Sequence, residues 1–188
     1  MNDDIQKSPI DVLNKAFAPK QGELANKLSD AGYEHPQSAA IIEGAKRIMG
    51  YSAVGQELLN FAEQKELKIK VLTDNKQSGY IPSADIAVVT CSPTQNKAYP
   101  ETVLHMVRVI REAQQEEMGF PHPSPELSKE EYIEKEMQKQ DDIHVMQFYV
   151  AYELWKNMGI EDLLNEIRKG GNDEYVDTFI NHLETNSE

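Results

Sequence analysis

At 188 residues, 39% of them apolar, the chain holds enough material for one folded domain with a core and little room for a second. Its formal net charge of −13 argues against a nucleic-acid or anionic-membrane partner, either of which needs a clustered basic face. A mean hydropathy of −0.60 points to a heavily charged, well-solvated surface.

Cys91 is the single cysteine, so no internal disulfide forms. The acidic start, Met1-Asn2-Asp3-Asp4, leads into no apolar run of signal-peptide or membrane-span length. The expected compartment is therefore the cytoplasm, with no anchor.

In chain order, Ser8-Pro9 places a capping hydroxyl before a proline and opens a short helix through Phe17, which Pro19 stops. A second helix spans Gly22–Asp30. A third begins at His35-Pro36, with Ile41, Ile42, Ala45, Ile48 and Met49 at helical spacing up to Gly50. Residues 1–50 thus read as an N-terminal helical extension. Ser52 caps the next helix, which carries Leu58, Leu59 and Phe61 and ends near Lys65.

Leu67 to Val71 alternates apolar and charged residues, the pattern of a half-buried strand. A turn reaching Gly79-Tyr80 leads to Ile86–Val89, whose unbroken apolar character predicts a strand inside the sheet. Pro100 opens a helix that runs to about Met118, with Gly119 as its stop. The proline-rich stretch 120–125 is a stiff connection, and His122 within it reads as a loop residue. Ser128 and Glu131 form a capping box for a long helix that ends at Gly159. Shorter helices follow at 160–169 and 173–183. The expected fold is α+β and helix-rich: a small sheet of at least two strands packed on two long helices. Residues 51–169 form the core region, and 170–188 a C-terminal helix and tail.

Wound at 3.6 residues per turn, the helix from Pro100 divides into two faces. Val103, Met106, Val107, Ile110 and Ala113 share one, and Glu101, His105, Arg108, Glu112 and Gln115 share the other. On the long helix, the segment Ile143–Trp155 is apolar nearly all round and predicts a central position. Asp142 and Glu153 sit three turns apart on one side of it. A carboxylate on a largely buried helix needs a cation or hydrogen-bond donors, because an unpaired buried charge is costly.

Gly55–Ala62, the Gly79-Tyr80 turn, Ile86–Val89, the helix Leu104–Gln115 and the run from Asp142 to Leu154 occur in a telling order. That order resembles small bacterial domains of the zincin-like metallopeptidase type, over about Ser52 to Gly159. In active zincins one helix presents two histidines four residues apart to zinc, with a glutamate beside the first. The resemblance puts Arg108 at the first histidine, Val109 at the general base and Glu112 at the second histidine. It puts Asp142, with His144 beside it, in the region of the third ligand.

An arginine cannot ligate zinc and a valine cannot take a proton. The resemblance therefore implies a non-catalytic domain without cofactor, whose former cleft holds a peptide or protein. Arg108 is expected to replace the cation by reaching Asp142, and Tyr80, Tyr99 and Tyr149 to line the cleft. The competing reading is a metal-dependent hydrolase with a rearranged zinc site using Glu101, His105 and either Asp142 or His144. Cys91 reads as a buried structural thiol, and His35 and His182 as surface positions.

Overall fold

A computed structural model describes residues 34–73, 78–120, 127–171 and 173–185. The helices expected before residue 31 and His122 lie outside them. The elements are α1 (Ser38–Met49), α2 (Ala53–Gln64), β1 (Lys68–Leu72), β2 (Gly79–Ile81), a 3-10 turn (Pro82–Ala84) and β3 (Ile86–Thr90). After these come α3 (Pro100–Glu117), α4 (Lys129–Met158), α5 (Asp162–Lys169) and α6 (Asp173–Thr185). The chain is a helix-rich α+β fold, as its patterning predicts.

The three strands lie in the order β1-β3-β2, with β3 parallel to β1 and antiparallel to β2. The central place of β3 explains its sequence: Ala87, Val88 and Val89 are all buried, so neither face needs polar residues. The Gly79-Tyr80 turn is corrected, since both residues belong to the edge strand β2. Three residues are too few to show an alternation.

Each edge of the sheet is tied to a neighbouring segment at one residue, which blunts it as a template for strand addition. On the β1 side, the His35 N–H donates to the Val71 carbonyl at 2.8 Å, and the Val71 N–H to Ser38 Oγ at 3.4 Å. On the β2 side, the Tyr80 N–H donates to Glu112 Oε2 of α3 at 2.8 Å.

The hub of the core is α3, not α4. Besides its apolar face, α3 buries Thr102, Leu104, Val109, Arg111 and Gln115. It touches the sheet, α1, α2, α4 and α5. Only Ile143, Val150, Ala151 and Leu154 are buried on α4. The apolar run on α4 misleads because several of its large side chains are only half-buried. Phe148 and Tyr149 pack around Phe179 of α6, at ring centroid distances of 5.2 and 5.1 Å. Meanwhile α3 buries three polar side chains, Thr102, Arg111 and Gln115, each with a hydrogen-bond partner.

The helix termini follow local chemistry. Ser52 Oγ accepts from the Gly55 N–H at 3.0 Å and caps α2. A Cβ on Gly55 would collide with the Met49 carbonyl, so a bare backbone lets α2 start against the end of α1. The end of α2 is a Schellman turn: the Leu67 N–H reaches the Ala62 carbonyl at 2.9 Å, and the Glu66 N–H the Glu63 carbonyl at 3.0 Å. Glu66 holds the left-handed position there, with φ of 51°. The Ser128–Glu131 capping box opens α4, and Gly159, at φ 68°, ends it.

Helix α1 buries Ile41, Ala45 and Met49 in the same core cluster that includes Val176 of α6. The side chains of α1 and α6 therefore share one interior with α3 and the sheet.

Candidate functional site

The acid on α4 is neutralised, but not by the expected arginine. Asp142 accepts from Arg111 Nε at 2.7 Å and Nη2 at 2.8 Å, and from Gln115 Nε2 at 2.6 Å. Arg111 Nη1 donates to Gln114 Oε1 at 2.8 Å, so every nitrogen of that guanidinium has an acceptor. Gln115 Nε2 also reaches the Lys139 carbonyl at 3.0 Å and ties α3 to the α4 backbone. Burial pushes the Asp142 carboxyl up, but the hydrogen bonds from Arg111 and Gln115 and the Arg111 charge outweigh it. The carboxyl therefore ionises below the usual aspartate value.

Arg108 faces elsewhere. Its Nε donates to Glu112 Oε1 at 2.8 Å on its own helix. Glu112 Oε2 accepts the Tyr80 N–H, so this carboxylate bridges α3 and the edge strand. Three residues of helix turn the direction by about 60° and advance it by about 4.5 Å. That rotation separates Arg108, joined through Glu112 to β2, from Arg111, which reaches α4. The expected Arg108–Asp142 pair is corrected to Arg111–Asp142.

Two of the remaining positions on α3 lie farther towards its start. His105 Nδ1 approaches the Thr90 carbonyl, at the end of β3, at 3.4 Å. Glu101 and Tyr99 border a recess of about 360 Å³ shared with Asp162, Glu166 and Lys169 of α5. His144 is exposed on α4. Among the described residues no three His, Cys, Asp or Glu side chains gather into a group suited to a metal ion. The set Glu101, His105, Asp142 and His144 is thus not brought together.

The three tyrosines take part in three separate contacts. Tyr80 donates its hydroxyl to Asp85 at 2.6 Å, and burial together with that carboxylate raises its pKa. Tyr99 is 41% exposed, and Tyr149 packs edge-on against Phe179.

Glu153, the other acid singled out on α4, also finds donors. Its Oε2 accepts from the Ser52 hydroxyl at 2.6 Å and the Val54 N–H at 3.1 Å. A carboxylate from α4 therefore completes the cap of α2, where the helix dipole favours negative charge.

Cys91 is half-buried against the core, and burial pushes its thiol pKa up, which disfavours the thiolate. His35 is corrected from surface to buried, at 4% exposure. Its Nδ1 accepts the Gln37 N–H at 3.0 Å.

Sequence reasoning missed Arg111 and placed Gln115 on the polar face with Glu101, His105, Arg108 and Glu112, whereas it is buried. The available signal was their i, i+4 spacing in line with Leu104, which also meets α4: its carbonyl accepts from Gln147 Nε2 at 2.8 Å. Fold and site together define a mixed α+β domain whose two long helices are fastened by an ion pair. No protein-family model, curated protein or solved structure matches the chain.

Proposed function

We propose that this chain is a non-catalytic zincin-like domain, a pseudo-metallopeptidase acting as a binding or regulatory module. The observation that carries the reading is the engagement of both carboxylates at the ligand-like positions. Asp142 is held by Arg111 and Gln115, and Glu112 by Arg108 and the Tyr80 amide. Val109, at the position of the general base, is fully buried in the core.

A metal ion at these carboxylates would have to displace a guanidinium from each. That exchange is unfavourable, because a charge-assisted, partly buried pair must be broken first. The chemistry left to the α3 surface is recognition: a fixed charge pair beside a short edge strand, with His105 one turn away.

Metal analysis of protein purified without chelators, alongside a peptidase assay on unstructured casein, tests this reading. Substoichiometric zinc and no cleavage are expected. One zinc per chain with cleavage would restore the hydrolase reading.

A further inference from the structure

Arg108 and Arg111, three residues apart on α3, are used differently. All three nitrogens of Arg111 meet protein acceptors. Arg108 spends only Nε, on Glu112, and among the described residues its Nη1 and Nη2 meet none. Its side chain is 27% exposed, against 10% for Arg111. We propose that Arg108 is a carboxylate receptor, its unspent Nη1/Nη2 edge taking the two oxygens of a peptide carboxylate. The idea rests on the binding-module reading above.

Three features favour the assignment. The first is preorganisation. Glu112 is only 13% exposed and is itself fixed by the Tyr80 amide, so the guanidinium plane is held before any ligand arrives. The second is fork geometry: two parallel N–H groups match a planar carboxylate, which a lysine cannot do. The third is the neighbourhood. His105 lies one turn earlier on the same helix, and among the described residues its one polar contact is from Nδ1 to the Thr90 carbonyl.

Charge decides which oxyanion. Glu112 already balances Arg108, and the chain carries a net charge of −13, so a phosphate dianion is repelled more strongly than a single carboxylate. The favoured ligand is a peptide bearing one carboxylate and otherwise neutral or basic. Its C-terminus and an acidic side chain are the two possible sources.

The full chain, labelled with ¹⁵N-arginine, would be titrated with sodium acetate and, at matched ionic strength, sodium chloride. The side-chain N–H signals of Arg108 should move saturably with acetate only, while those of Arg111 stay in place. Arg108→Gln should abolish the response, and Arg108→Lys, which keeps the charge but loses the fork, should weaken it. An uncharged hexapeptide with a free C-terminus, its C-terminal amide, and the amide carrying one internal glutamate would then identify the source. Equal shifts with chloride, equal movement of Arg111, or equal binding of acid and plain amide would overturn the receptor assignment. Those results leave the non-catalytic reading standing, whereas one zinc per chain defeats that reading whatever the peptides do.

Discussion

Arg111 and Asp142 meet nitrogen to oxygen twice, at 2.7 and 2.8 Å, across the interface of the two long helices. Among the described residues, the side chain of Arg108, on the same helix, bonds only to Glu112 of that helix. The pair separates a residue that fastens helices from one that faces outward.

Arg111→Met leaves the partly buried Asp142 with only Gln115 as a donor, and should lower unfolding free energy by about 2–3 kcal/mol. Arg108→Met leaves Glu112 the Tyr80 amide as a donor and should lower it by less, about 1–2 kcal/mol. Urea denaturation of both variants measures the contrast. Equal losses would mean that Arg111 is not the fastening residue.

The same pair sets an acid limit. The carboxyl of Asp142 is depressed in the folded state, so its contribution to stability is complete above the ordinary aspartate value of 3.8. It is lost as pH falls below that value, through the folded-state one. Thermal melts between pH 6 and about pH 2.5 should show this loss, and in Arg111→Met the Asp142 share of it should shrink. An identical acid profile in the variant would contradict the assignment.

Ser52 and Glu153 act together at the start of α2. Ser52→Ala and Glu153→Gln should each cost about 1–2 kcal/mol through loss of cap hydrogen bonds. The double variant should cost less than the sum by about 0.5 kcal/mol or more, because the residues share one bond. Strict additivity in a double-mutant cycle would mean the two caps work independently.

Glu66 pays a conformational cost in its left-handed position, where its side chain is exposed. Glu66→Gly should raise unfolding free energy by about 1 kcal/mol while leaving the Schellman turn intact. A fall in the melting temperature would show that the Glu66 side chain makes a contribution larger than its strain.

Local chemistry made much of the fold readable. The Ser52 cap, the Ser128–Glu131 box, the glycine stop at 159 and the unbroken run Ile86–Val89 each report on a few adjacent residues, and each element formed where that chemistry placed it. The edge strand β2 escaped notice because three residues carry no period and its outer partner, Glu112, comes from 32 residues away.

By itself the sequence determined that the acids Asp142 and Glu153, on a helix of this character, must find donors, since burying an uncompensated carboxylate is prohibitive. Only the tertiary structure decided which donors. The choice of Arg111 over Arg108 turns on about 60° of helix rotation, and the choice of Ser52 for Glu153 on how α2 meets α4. It decided likewise that α3 is the central helix. Burial depends on what packs around an element, and a polar side chain such as Gln115 is buried once its partners are in place.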